Sequence, residues 1–169
     1  LNTIRTNAAY SVISGGYWNE IGTNAAYSVI GGGSYNLIQS NSIDSVIGGG
    51  IGNVIELRAS LSVIGGGNQN LIQSNAYYSV VSGGSGNTVQ LNAYLATISG
   101  GANNVIGAVN FGSTIGGGED NVIEQDANVS TIDGGSLNLI LTNSEIYTFA
   151  VGGSNTFQRN SSGTGLGGG

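Results

Sequence analysis

The stretch Ser28-Val29-Ile30-Gly31-Gly32-Gly33, followed by Asn36 and Ile38, recurs along the chain with a constant step of 17 residues. With position 1 placed on Ser11 and Ser28, the repeat reads S-V-I-G-G-G-x-x-N-x-I-x-x-N-A-x-x. Self-similarity at a fixed short period is typical of architectures in which each repeat stacks on its neighbours. We therefore expect a single repeat domain over residues 1–169, with degenerate last coils at 147–169.

Two columns of the repeat, positions 3 and 11, never become polar. β-Branched residues at two fixed places per repeat suit two short strands whose inward side chains stack from coil to coil. The sequence thus predicts an all-β fold, a β-solenoid (β-helix or β-roll) with one coil per 17-residue repeat and about ten coils. The predicted core columns are Ile13, Ile30, Ile47, Ile64, Val81, Ile98, Ile115 and Ile132 at position 3, continued by Phe149 and Leu166, and Ile21, Ile38, Ile55, Ile72, Val89, Ile106, Ile123 and Ile140 at position 11.

Alternation along the strands predicts which other side chains point inward. Since every second residue of a strand faces the same side, positions 1, 9, 13 and 15 should lie inside together with 3 and 11. Position 9 is Asn in every repeat, and stacked Asn amides can form a hydrogen-bonded ladder along the axis. The predicted structural ladder is Asn19, Asn36, Asn53, Asn70, Asn87, Asn104, Asn121, Asn138 and Asn155, preceded by Asn2.

Positions 2 and 10 should point outward, and both are apolar in many repeats. A long exposed apolar stripe usually marks an interface, so position 2 is a candidate surface for association between copies of the chain. In the alternative, position 2 fills a second side of a flattened core. The candidate interface residues are Val12, Val29, Val46, Val63 and Val80.

The composition excludes several kinds of function. The chain has no Cys, His or Lys, so His- or Cys-based metal sites, Ser-His triads and Schiff-base chemistry are ruled out, and we do not expect an enzyme. The three cations Arg5, Arg58 and Arg159, within a net charge of −6, are too few to neutralise a nucleic-acid backbone. No apolar run approaches membrane-spanning length, so membrane insertion is not expected.

One acidic cluster offers a possible metal site. Glu119, Asp120, Glu124, Asp126 and Asp133 could supply oxygen ligands to Ca²⁺ at a solenoid corner. However, calcium-binding rolls carry Asp in nonapeptide repeats, and this period is 17. A solvated, solubilising patch is the stronger interpretation, and no cofactor is expected.

Aromatic side chains gather at positions 7, 8, 16 and 17. On the surface of a rod they can bind sugar rings or partner proteins, or they can pack at coil edges or within an oligomer. These residues are Tyr17, Trp18 and Tyr35 at positions 7 and 8, Tyr77 and Tyr94 at position 16, and Tyr10, Tyr27 and Tyr78 at position 17.

The Ser-Val-Ile-Gly-Gly-Gly hexads, each followed by Asn and Ile, resemble the repeats of two groups of proteins. One is the head domain of trimeric autotransporter adhesins (hep/Hag-like), and the other is the repeat region of viral and phage fibres that end in an endosialidase-type chaperone domain. The resemblance implies a homotrimeric fibre on a cell or virion surface. Such a fibre would act extracellularly as a spacer or adhesin, with a host receptor or glycan as a partner.

Two other functions remain open. The first and last coils could template each other between chains, which would make the protein a subunit of a head-to-tail, cross-β extracellular filament. A flat β-branched face could bind ice, although the Thr run at position 2 covers only four coils, from Thr97 to Thr148.

Overall fold

The computed structural model describes residues 1–144, 149–154, 156–157 and 165–167. Within these ranges the secondary structure consists of short strands, bridges and turns, without a helix. The strands form two parallel ten-stranded sheets, one from the odd-numbered and one from the even-numbered strands. This arrangement confirms the predicted all-β solenoid.

The first sheet collects the strands at positions 10 and 11. They are β1 (Thr3–Ile4), β3 (Glu20–Ile21), β5 (Leu37–Ile38), β7 (Val54–Ile55), β9 (Leu71–Ile72), β11 (Thr88–Val89), β13 (Val105–Ile106), β15 (Val122–Ile123), β17 (Leu139–Ile140) and β19 (Thr156–Phe157).

The second sheet begins with the strands at positions 2 and 3. They are β2 (Val12–Ile13), β4 (Val29–Ile30), β6 (Val46–Ile47), β8 (Val63–Ile64), β10 (Val80–Val81), β12 (Thr97–Ile98), β14 (Thr114–Ile115), β16 (Thr131–Ile132), β18 (Phe149–Val151) and β20 (Gly165–Gly167).

Each strand pairs with the strand one coil further on, in the register of the repeat. Ile30 pairs with Ile47 in the second sheet, and Ile38 pairs with Ile55 in the first. Eight steps of 17 residues separate Ile4 from Ile140, which agrees with the predicted repeat length. The expected number of about ten coils is therefore roughly right.

The regular step changes after β16. Thr131 pairs with Phe149 and Ile132 pairs with Ala150, so this step is 18 residues long and the predicted placement of Phe149 at position 3 is wrong. The Gly152 carbonyl nevertheless accepts a hydrogen bond from the Asn138 amide, as a position-6 glycine does in the other coils. The pairing is therefore shifted by one residue at Phe149 and Ala150, within the three-residue strand β18, and the 17-residue spacing is restored at Gly152.

The core lies between the two sheets. Positions 3 and 11 are fully buried from Ile21 to Ile140, and Ile13 in the first coil is half-buried and packs against them. Positions 1, 9 and 15 are also inside, but position 13 is not, and Leu57 and Leu91 there are 39% and 44% exposed. The predicted inward orientation of position 13 is wrong because the strands are only two residues long, so the alternation ends before the turn.

Left-handed backbone conformations turn the chain at fixed places. Positions 8, 14 and 17 have φ values of about +53° to +68° in successive coils, and the glycines at position 6 have φ values of +81° to +94°. Strand residues donate their N–H groups to the following coil, as Val29 does to the Ser45 carbonyl. The left-handed residues at positions 8, 14 and 17 donate to the preceding coil instead: Leu61 bonds the Ile43 carbonyl and Asn75 bonds the Leu57 carbonyl. These turn residues thereby pair their backbone N–H groups although they lie outside the strands.

Candidate functional site

The Asn column forms a buried ladder, of which Asn70 is a representative member. Its Nδ2 group donates to the Gly66 carbonyl at 3.0 Å, to the Gly84 carbonyl of the next coil at 3.0 Å, and to Asn53 Oδ1 at 3.1 Å. Its Oδ1 atom accepts the backbone N–H of Asn87 at 3.1 Å and is also 3.0 Å from Asn87 Nδ2. Every polar atom of the amide is therefore used by the fold.

The same contacts recur along the rod, with Asn155 outside the described residues. Because the amides are buried and bonded, they are not available to a ligand, and the column is a structural ladder. Equivalent bonds to both glycine carbonyls and to the preceding Asn are made by Asn36, Asn53, Asn87, Asn104, Asn121 and Asn138, while Asn19 makes the two carbonyl bonds.

The glycine at position 6 is required by close approach between coils. At Gly50, which has a φ of +91°, a Cβ atom would lie 2.0 Å from the Gly67 carbonyl oxygen and 2.8 Å from Asn53 Nδ2. No side chain fits against backbone at that distance. The Gly run is thus part of the coil-to-coil contact, as its repetition in every coil suggested.

Position 1 forms a second internal ladder. Ser28 Oγ donates to the Ser42 carbonyl of the next coil at 2.9 Å and accepts the backbone N–H of Ser45 at 3.2 Å. Ala96 interrupts this column, and Ser130 Oγ is buried and has no hydrogen-bond partner within the described part of the chain. The sequence correctly predicted that position 1 points inward. The hydrogen bonds between coils now explain why most residues at this position are Ser.

The candidate interface at position 2 lies on the outer surface of the second sheet. Val12 is 48% exposed, whereas Val29, Val46, Val63 and Val80 are half-buried because they pack on each other from coil to coil. The apolar residues of position 10 are similarly half-buried on the first sheet. Both columns therefore present flat apolar surfaces, but their accessible area per residue is limited.

A more exposed apolar surface lies at the turn of positions 16 and 17. The Tyr10 and Tyr27 rings stack at 5.1 Å, and the Tyr94 and Phe111 rings stack at 5.5 Å. The sequence identified the tyrosines one by one but missed the aliphatic residues and Phe111 between them. We call this surface the aromatic face, and it consists of Tyr10, Tyr27, Ile43, Leu61, Tyr78, Tyr94, Leu95 and Phe111, which are 37–78% exposed.

Several members of the aromatic face adopt an unfavourable backbone. Leu61, Tyr78 and Leu95 at position 17 have φ values of 57°, 55° and 55°. A left-handed conformation costs a residue with a Cβ atom about 1–2 kcal/mol, and Asn and Asp tolerate it best. Asp44 occupies the same position with a φ of 55°, so a polar residue is accommodated there.

A smaller aromatic group lies at the opposite turn. Tyr17 and Tyr35 meet edge to face at 5.7 Å, and the neighbouring Trp18 is 60% exposed. Position 7 continues with Ser34 and Ile51, and position 8 continues with Gly52 and Gln69. The aromatic residues of this group are therefore confined to the first coils. Tyr77 belongs to neither exposed group, since it is half-buried.

Among the residues that the structure describes, the charged side chains do not form a common site. The predicted acidic cluster is divided among different turns, and Glu124 Oε2 accepts the Thr142 N–H at 3.1 Å. Within the described residues, no three carboxylates lie close enough to hold a metal ion. Near the first coil, an exposed ion pair joins Arg5 to Glu20, and the hydrogen bond to that carboxylate raises the pKa of the Arg5 guanidinium.

One notch of about 310 Å³ opens on the first sheet. It arises because position 12 is Gly107, between Gln90 in the preceding coil and Glu124 in the following one. The notch is shallow, and its carboxylate is already bonded to the Thr142 backbone. It does not provide the paired, free carboxylates that glycoside hydrolysis would need.

Comparisons with known proteins give no family assignment. The sequence matches no protein-family model and no curated protein significantly. In the ranges that the structure describes, no helix is long and apolar enough to cross a membrane. The fold itself defines the chain as a β-solenoid, an architecture compatible with a structural repeat protein.

Proposed function

We propose that this chain is a non-catalytic structural element, a segment of an extracellular or virion surface fibre that assembles as a homo-oligomer and acts as a stiff spacer or adhesin. The observation that carries the proposal is that the recurring residues of the repeat hold successive coils together. The Asn amides, the position-6 glycines and most position-1 serines are occupied by contacts between coils. The residues that recur in the repeat thus stabilise a rod.

The geometry supports a stiff spacer. Parallel strands pair from coil to coil with one register over eight steps, and internal Asn and Ser ladders reinforce them. At about 4.8 Å per coil, eight steps extend roughly 40 Å. Such a rod is defined along its whole length by nearest-neighbour contacts.

The outer surface supports association between copies. Apolar columns at positions 2, 10, 16 and 17 run along the rod, and the chain carries few charged residues. Contiguous apolar surfaces of this kind usually mark interaction sites. A second copy offers the same repeat spacing, so its columns can match coil for coil.

The native mass of the purified full chain tests this proposal. Light scattering at micromolar concentration should give one discrete mass that is a small multiple of the chain mass. A stable single chain would contradict the homo-oligomer. Particles of unlimited length, seen by electron microscopy, would favour the head-to-tail filament instead. Binding to immobilised glycans, compared with a variant lacking Tyr17, Trp18 and Tyr35, would test the adhesive role.

A further inference from the structure

We propose that the aromatic face is the lateral interface between two copies of this chain. This inference rests on the proposed homo-oligomeric function and specifies the surface that the oligomer uses. It differs from the position 2 stripe, whose valines are mostly half-buried within their own sheet.

The distribution of charge favours a second copy on this face. Between Ala9 and Val129, positions 16 and 17 contain a single charged residue, Asp44. Most other acidic residues lie elsewhere in the coil, as Glu119 and Asp120 do at positions 7 and 8, and Glu145 follows at position 16 only beyond this range. Because the chain has a net charge of −6, two copies repel each other least where this face meets its equivalent.

The exposed area is appropriate for self-association. The face follows seven successive coils, from Tyr10 to Phe111, and is therefore about 30 Å long. At about 150–250 Å² per aromatic side chain, the exposed fractions of its five rings amount to roughly 500 Å², and Ile43, Leu61 and Leu95 add to this. A standard interface buries about 800 Å² on each partner, so the face supplies most of one partner's share.

The backbone gives an independent argument. Position 17 holds bulky residues in a conformation that Asn or Asp would adopt more easily, although Asp44 shows that a polar residue fits. Ring stacking within the chain stabilises Tyr10 and Tyr27. Leu61 and Leu95 remain 44% exposed, so their apolar side chains are available to contact another molecule.

The test uses two variants of the full chain with the same added charge. Leu61→Asp with Leu95→Asp places two carboxylates on the aromatic face, at the position that Asp44 already occupies. The matched control, Gln69→Asp with Asn103→Asp, places them at position 8, where Asp120 has the same left-handed backbone. Circular dichroism melting of both variants verifies that the solenoid is retained.

We expect sedimentation equilibrium to show the face variant as a single chain and the control as the wild-type oligomer. If the face variant keeps the oligomer, or if both variants dissociate equally, the inference is wrong. An uncharged pair, Leu61→Asn with Leu95→Asn, should weaken association at least roughly tenfold without adding repulsion. Unchanged association of that pair would also overturn the inference.

A third variant separates this inference from the proposed function. Val63→Lys with Val80→Lys changes position 2 alone. If the wild type is oligomeric and only this variant dissociates, the homo-oligomer stands and the aromatic face is not its interface. If the wild type is itself a single chain at micromolar concentration, both proposals fail.

Discussion

Positions 14 and 17 lie three residues apart in the same turn, and both adopt the left-handed backbone in coil after coil. At position 14, seven of the nine residues with positive φ are Asn or Asp, as in Asn41, Asn75 and Asp126. At position 17, eight described residues have positive φ; Asp44 is the only Asn or Asp among them, and most of the others are Tyr or Leu. The backbone alone therefore explains position 14, while position 17 carries apolar surface in spite of its backbone. Substitutions in columns that the fold requires should lower the stability of the folded chain, whereas substitutions at position 17 should not.

The largest effect is expected inside, at position 9. Replacing Asn70 with Leu keeps a similar volume but leaves the Gly66 carbonyl and the Asn87 N–H without their partner, while the Gly84 carbonyl keeps its bond from the Asn68 N–H. Since each buried unsatisfied group costs about 1–3 kcal/mol, we expect a loss of about 4 kcal/mol in the free energy of unfolding. Urea denaturation followed by circular dichroism measures this loss. A midpoint close to that of the wild type would show that the ladder does not stabilise the rod.

Position 6 is expected to be the next most sensitive. Gly50→Ala would bring a Cβ atom to 2.0 Å from the Gly67 carbonyl at a φ of +91°, so we expect a loss of about 3 kcal/mol. Gly52 is the matched control, because its φ is also positive, at +67°, but the nearest atom to an added Cβ is Gln69 Cγ at 3.5 Å. Gly52→Asn should change the unfolding midpoint little, as Asn103 occupies the equivalent position. Equal losses for both variants would mean that backbone strain, and not close approach, dominates at position 6.

Much of this arrangement could be predicted from the sequence, for a physical reason. Columns that the fold determines carry the same residue in every coil, so the Ile columns and Asn19 to Asn138 are visible as strict periodicity. The aromatic face is not visible as a strict periodicity, because Tyr27, Ile43 and Leu61 differ in residue type and share only apolar character. The outward orientation of position 13 was also hidden, since alternation does not indicate that a strand ends after two residues. The 18-residue step before Ala150 follows from pairing, which a single sequence does not reveal.

A smaller effect is expected at position 14. Asn75→Leu places a bulky side chain at a φ of 58° without changing the buried core, so we expect a loss of about 1 kcal/mol. Thermal melting of the variant at low protein concentration measures the change. Asn75→Gly, which removes the side chain but accepts the conformation, should lie close to the wild type. If the Asn75→Leu variant is as stable as the wild type, the left-handed backbone conformation does not explain why Asn is so common at position 14.

The reverse exchange at position 17 should have the smallest effect on a single chain, and the opposite sign. In Leu61→Asn, a residue that tolerates the left-handed backbone replaces one that does not, so the isolated chain should gain about 0.5–1 kcal/mol. Leu57→Asn is the control, because Leu57 is similarly exposed, at 39% against 44%, but lacks a positive φ. That variant removes comparable apolar area without relieving the backbone, and it should not be stabilised.

Concentration then separates the backbone from the interface. Association stabilises the folded chain increasingly as protein concentration rises, and removal of an interface residue reduces that contribution. The Leu61→Asn variant should therefore melt above the wild type in dilute solution and below it at high concentration, whereas the Leu57→Asn variant should show no such crossing. If the Leu61→Asn variant stays above the wild type at every concentration, position 17 is apolar for a reason other than self-association.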